Sequence, residues 1–200
     1  MSIEKPAKTR VRRSPEASRE NILAAAEALL TRTGPQALKL ADVAAEAGVA
    51  NATVLHHFGS IDGVQAALMD HMIAQLAAGV LEAGEHETDP AAAREAATRR
   101  LFDVFETRGA ARLAAWLVLT DEASRLTTVR QAVQSVVATR VKPSGLSQED
   151  AEDLVLLSVV LAMGVGLFGR PLAALIGKPE ERARDLALDF LLGLKEERGV

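Results

Sequence analysis

Cysteine is absent from this chain, and so is tyrosine; one Trp and five Phe make up an aromatic share of 3%. Without thiols there is no disulfide, no thiolate metal site and no cysteine nucleophile. So few aromatic faces argue against a protein that stacks on single-stranded bases. Long apolar runs are scarce too. Leu154–Phe168, the longest, falls short of the roughly 20 residues a bilayer-spanning helix needs, and Glu149, Asp150, Glu152 and Asp153 precede it. It is therefore expected to be a buried helix, and the protein to be cytoplasmic with no membrane partner. The basic N-terminus leads into no apolar stretch, so no signal peptide is expected. The histidines at 56, 57, 71 and 86 show no H-E-x-x-H spacing, and no metal or cofactor is expected. No G-x-S-x-G elbow occurs either.

Strand signals are nearly missing: there is no Asn-Gly or Asp-Gly turn and little alternation of apolar with polar residues. What is present reads as helix, giving an all-α fold. Ser14-Pro15-Glu16 is a helix start, Ile22, Leu23, Ala26, Leu29 and Leu30 form one apolar stripe, and Gly34-Pro35 stops it. Ser60 caps a long helix through Val64, Leu68, Met72, Leu76 and Leu81 toward Gly84. Asp89-Pro90 opens another, and Gly109 precedes a segment with Leu113, Trp116 and Leu117. A helix is expected over Ser124 to about Thr139, before Lys142-Pro143-Ser144-Gly145. Ser147 with Asp150 approximates a capping box, and Pro179 opens a last helix ending near Lys195.

The stretch ADVAAEAGVANATVLHHF, Ala41 to Phe58, holds two short helices about one glycine. Leu40, Val43, Ala44 and Ala47 share a face. Gly48 permits the positive φ of a tight turn. Val54 and Phe58 then face inward, and small Ala44 lets the helix axes approach, as in a helix-turn-helix. Asn51, Thr53, Leu55 and His56 remain on the outer side. There an Asn suits adenine, and a Thr can bond a base or phosphate. The same spacing also fits an ordinary αα-corner with a solvated face. Charge adds to the first reading. Residues 1–20 hold six basic against three acidic side chains and residues 61–200 hold fifteen against twenty-one, within a net charge of −4. A basic head on an acidic body suits a phosphate-binding N-terminus.

These residues resemble the N-terminal domain of TetR-family transcriptional regulators. The likeness is carried by Arg19 to Thr31, Val43-Ala44, Ala47-Gly48-Val49, Thr53, His57-Phe58 and Ser60. It implies a homodimeric, ligand-responsive repressor of double-stranded DNA, not an enzyme. The implied organisation is a basic disordered arm over 1–13, a helix-turn-helix domain over 14–59, a connecting helix over 60–83 and a ligand-binding and dimerisation domain over 84–200. Candidate DNA-contacting residues are Arg10, Arg12 and Arg13 of the arm, Lys39, Ala50, Asn51, Thr53, Leu55, His56 and His57, the last also closing the domain. The chain departs from the family pattern at Lys39 and Ala50, where Ser or Thr caps are usual, at Ala52 for Gly, at Leu55 for Tyr and at Ile61 for Lys. These departures imply weaker operator binding unless Lys39, the arm and the two His compensate.

In the body, the final helix carries Ala183, Leu186, Ala187, Phe190, Leu191 and Leu194 on one stripe, with Leu188 and Leu192 on a second. Such width calls for a partner copy as well as the chain's own core. With Leu157 and Leu161 of the preceding apolar helix, Leu186, Phe190, Leu191 and Leu194 are the candidate dimer interface. Phe102, Phe105, Trp116, Met163 and Phe168, with polarity from Arg112, Thr120 or Arg125, are the candidate pocket for a small apolar effector; plain core is the alternative. Two rivals arise from other features. Gly164, Gly166 and Gly169 match G-x-G-x-x-G with Asp189 beyond, as in a nicotinamide-dependent enzyme, but no strand precedes them and Pro171 comes directly after Arg170. The chain could also be a helical interaction module whose helix-turn-helix no longer binds DNA.

Overall fold

Ser14 starts the first helix as its neighbours dictate: the Ser14 Oγ accepts from Ala17 N at 3.1 Å, with Pro15 in the first turn, where its missing N–H costs nothing. In this computed structural model, residues 14–87, 89–120, 131, 134–138 and 147–193 are described. Helix α1 runs Pro15–Thr33 and ends at Gly34, whose φ of 83° and N–H bond to the Leu30 carbonyl (2.9 Å) close it. Helices α2 (Leu40–Ala47) and α3 (Asn51–Phe58) come next. Gly48 between them is left-handed, φ 66° and ψ 36°, while Val49 N donates to Ala44 O at 2.9 Å. The chain turns there as the glycine predicts.

Helix α4 (Ile61–His86) is capped by Ser60, whose Oγ accepts from Gly63 N at 3.0 Å. Its early residues Val64 and Leu68 close the core of α1–α3, together with Ile22, Leu23, Leu30, Val43 and Val54. Its later residues Met72, Leu76 and Val80 enter the body. Each fully buried aliphatic chain there contributes roughly 1.5–3 kcal/mol. One continuous buried cluster thus runs along this helix from the N-terminal helices into the body.

The body consists of α5 (Pro90–Phe102), α6 (Ala110–Leu119), α7 (Gln148–Gly164), α8 (Arg170–Leu175) and α9 (Arg182–Gly193). Asp89 caps α5 and Ser147 caps α7, where Ser147 Oγ and Asp150 exchange bonds of 3.1 and 2.7 Å. The last helix begins at Arg182, three residues after the expected Pro179. Of the helix expected over Ser124–Thr139, Gln131 and residues 134–138 are described, and they are helical; the remainder, Arg125 included, lies outside the described residues.

Two widened turns with π geometry interrupt the ladder, at Asp103–Thr107 after α5 and at Val165–Gly169 between α7 and α8. They pack against each other, and Gly166 explains how. A Cβ there would stand 2.8 Å from the Phe105 carbonyl oxygen and 2.7 Å from the Ala111 Cβ. Gly164, Gly166 and Gly169 therefore lie in a helix that runs on from α7, and no strand occurs among the described residues. The dinucleotide reading has no fold to stand on.

The segment expected to be a plain buried helix is longer and less covered. It continues from Gln148 to Leu175, and this stretch and Ile61–Ala83 are long and apolar enough to cross a membrane by length and composition. Ile61–Ala83 is largely core. On Gln148–Leu175 the exposure is one-sided: Leu156, Val160, Phe168 and Leu172 face out, while Ala151, Ala162, Val165 and Ala173 are buried. A helix amphipathic in this sense suits a protein neighbour better than lipid all round.

Candidate nucleic-acid interface

The outer face of the N-terminal domain is built by what the core takes away. Val54 is fully buried and Phe58 packs on the core; Arg19 lies over the Phe58 ring at 4.6 Å, a cation–π contact that ties α1 to the end of α3. Asn21 Nδ2 donates to Ala47 O at 2.7 Å, holding α1 to the last turn of α2. Gly63 lets α4 start against α3, since a Cβ there would collide with the Phe58 carbonyl. With these contacts made, Asn51, Ala52, Leu55 and His56 are exposed, and Thr53 and His57 are half-buried beside them.

Neither α2 nor α3 has a side-chain cap. Lys39 and Ala50 stand at the cap positions without a capping hydrogen bond, and both are exposed. The first-turn N–H groups of both helices thus point outward unengaged by side chains, at the positive ends of two helix dipoles. The residues that replace the usual hydroxyl caps remove the competitor an incoming phosphate oxygen would meet. Arg32 is not free for such a role: it holds Glu46 through two bonds of 3.1 and 2.8 Å. That pairing raises Arg32 from its ordinary value and lowers the Glu46 carboxyl. Arg10, Arg12 and Arg13 lie outside the described residues.

Three polar contacts fasten this domain to the body. Arg108, in the turn before α6, donates to both oxygens of Glu27 at 2.6 and 2.8 Å and to Gln75 Oε1 at 2.7 Å. Arg112 on α6 reaches the Leu30 and Thr31 carbonyls at the end of α1, 3.4 and 3.3 Å away. Trp116 Nε1 donates to Gln65 Oε1 at 3.2 Å, and Gln65 Nε2 donates onward to Pro35 O at 3.1 Å.

These contacts revise the place of the expected effector-pocket residues. Arg112 and Trp116 bind the junction instead of a hollow, and the Thr120 hydroxyl donates back to Trp116 O at 2.9 Å. Phe102 and Phe105 are buried core, and Met163 is half-buried against it. Of the seven candidates among the described residues, Phe168 borders an open groove of about 660 Å³, lined also by Val160, Leu161, Leu172, Ile176, Lys178, Arg182 and Leu186. The set scatters because apolar periodicity marks core and cavity walls alike. The expected dimer residues divide as well. Leu186 and Phe190 are exposed, Leu157 and Leu161 are half-buried, and Leu191 is buried in its own chain's core with Ala187 and Leu188. Leu194 lies outside the described residues. The sequence reading missed Gln65, Glu27 and Arg108; one glutamine among apolar neighbours on α4 was the only available signal.

Comparison with known proteins converges on this picture. A model of bacterial regulatory proteins of the tetR family matches residues 22–68. No curated protein matches in sequence. Among solved structures, a transcriptional regulator from Rhodococcus sp. Rha1 is similar at TM-score 0.67 and 26% identity, over 91% of this chain and 95% of its own. A TetR transcriptional regulator from Legionella pneumophila aligns at 0.64 and 18%, over 92% and 97%. The multidrug binding protein EbrR, solved complexed with imidazole, aligns at 0.54 and 21%, over 86% and 93%.

Proposed function

We propose that the chain is a regulator of the TetR family, whose model matches residues 22–68, and that it is a homodimeric repressor, released from a near-palindromic operator by a small apolar effector. The observation that carries the DNA contact is the exposed face of α3 beside two helix N-termini without side-chain caps, Lys39 among them. Phosphates dock on those N–H groups and on Lys39, with the Arg10, Arg12 and Arg13 arm adding charge; Asn51 and Thr53 meet base edges in the major groove. Two copies meet through the outward stripe of α7 and α9, with Leu186 and Phe190 at its centre. A two-fold axis there sets the recognition helices roughly 34–36 Å apart, or a multiple of that.

Release depends on the junction. An effector admitted to the body displaces α6, and Arg108, Arg112 and Trp116 transmit that movement to α1 and α4, so that bound and free bodies favour different half-site spacings. The likeness to EbrR supports a small-molecule effector. Selection of sites from random duplex DNA is the test. A two-fold symmetric motif is expected. Asn51→Ala or Thr53→Ala should abolish its retention in a gel shift without unfolding the protein, and removal of residues 1–13 should weaken it. A chain that enriches no motif is an interaction module, and the regulator reading fails.

A further inference from the structure

Successive residues of an α-helix are turned by about 100°, which places Asn51, Leu55, Ala52 and His56 side by side on one arc of α3. The structure leaves all four exposed. Leu55 is 45% exposed, and among the described residues before Val118 it is the one large apolar side chain left open to solvent. None of the eight residues Asn51–Phe58 is Arg or Lys, the side chains that make the commonest two-pronged contact with guanine. The arc therefore offers an amide, two apolar groups and an imidazole.

In the major groove, thymine alone presents a methyl group, and adenine alone presents the acceptor–donor pair that an asparagine amide matches with two hydrogen bonds. We infer that α3 reads A·T pairs, with Leu55 packing on a thymine C5-methyl and Asn51, one turn earlier on the same arc, bonding an adenine. The inference rests on the DNA-binding reading above and gives the half-site its chemistry. Ala52 beside them is small enough to let the base edges approach, and Leu55 gains by contact what it forfeits in water.

The experiment takes the full chain and the duplex it selects from random DNA. Each thymine of a half-site is replaced in turn by deoxyuridine, which removes only the methyl, and affinity is followed by fluorescence anisotropy at one salt concentration. One replacement per half-site should weaken binding about fourfold, the factor for one buried methyl-sized group. Leu55→Ala should bind the thymine duplex more weakly and be indifferent to that replacement, while Leu55→Met keeps the discrimination. Leu55 is exposed, so both variants should melt with the parent. An enriched motif whose affinity ignores every thymine methyl, or a Leu55→Ala protein that still discriminates, overturns the inference and leaves DNA binding standing. If no motif is enriched, both fall.

Discussion

Arg108 and Glu27, 81 residues apart, share a two-pronged ion pair of 2.6 and 2.8 Å that joins the turn before α6 to the middle of α1. Gln75 of α4 supplies a third acceptor to the same guanidinium at 2.7 Å, so three helical elements meet at one cation. The Glu27 hydrogen bonds are the largest influence holding Arg108 protonated, against the opposing pull of burial. Charge-assisted bonds of this shape are directional as well as strong. They are suited to carrying a displacement rather than absorbing it.

Arg108→Ala should therefore cost stability and coupling together. The pair is partly screened by solvent, so about 1–2 kcal/mol is expected, a fall of roughly 3–6 °C in melting temperature for a chain of this size. Glu27→Gln keeps a neutral acceptor and should lose less. In both variants operator affinity should change less on adding effector than in the parent. An effector response of parental size, read by anisotropy, would place the transmission elsewhere.

Gln65 is the one buried polar side chain among the described residues, 4% exposed, and it joins Trp116 to Pro35. Gln65→Leu keeps the bulk and leaves the Trp116 N–H without its partner, at about 1–3 kcal/mol, while the Pro35 carbonyl keeps its bond from Leu38 N at 3.3 Å. Trp116 is the only tryptophan in the chain, so indole emission reports this site. A shift of emission to the blue, with a lower melting temperature, is expected. An unchanged spectrum would show that the indole N–H finds its partner in another way.

How legible was this molecule in its residues? The helix-turn-helix could be read because each of its signals has a single local cause: Gly48 turns the chain, Val54 and Phe58 occupy the inward phase, and Ser60 caps the long helix α4. The resemblance to the N-terminal domain of TetR-family regulators, which the family model matches over residues 22–68, came from the same few positions. The body was less readable. Phe102, Trp116 and Phe168 look equivalent in a sequence, yet one is sealed core, one is tied to Gln65 and one borders a groove. Partners far apart in sequence decided among those fates, and no periodicity encodes them. The two π turns were also invisible: the close approach of Gly166 to the Phe105 carbonyl, where they meet, is made across the fold.

Gly166 and Gly164 separate a packing role from a nucleotide-binding one. A methyl at Gly166 meets the Phe105 carbonyl oxygen at 2.8 Å and the Ala111 Cβ at 2.7 Å, whereas at Gly164 it meets nothing within 4 Å. Gly166→Ala should destabilise by about 1–3 kcal/mol, as overpacking does. Gly164→Ala, in ordinary helical backbone, should stabilise by about 0.5–1 kcal/mol. Thermal melts of the two variants check both signs, and equal effects would remove the packing account.

The outward stripe of α7 and α9 sets the last expectation. Leu156, Val160, Leu186 and Phe190 are each at least half exposed in the single chain, at 64, 57, 51 and 51%, and exposed apolar side chains gathered on neighbouring helices mark a surface suited to a protein partner. Covering it with a second copy buries each of these side chains twice over, once per protomer, which is why a two-fold contact gains so much from few residue types. Leu186→Glu with Phe190→Glu places four carboxylates at the centre of such an interface. Neither residue is part of its own chain's core, so each protomer should keep its helicity while the dimer separates. Sedimentation at micromolar concentration should then show monomers where the parent gives dimers. Operator affinity should drop by orders of magnitude, because each half-site alone must hold one domain. A parent that sediments as a monomer would remove the dimer, and with it the palindromic operator.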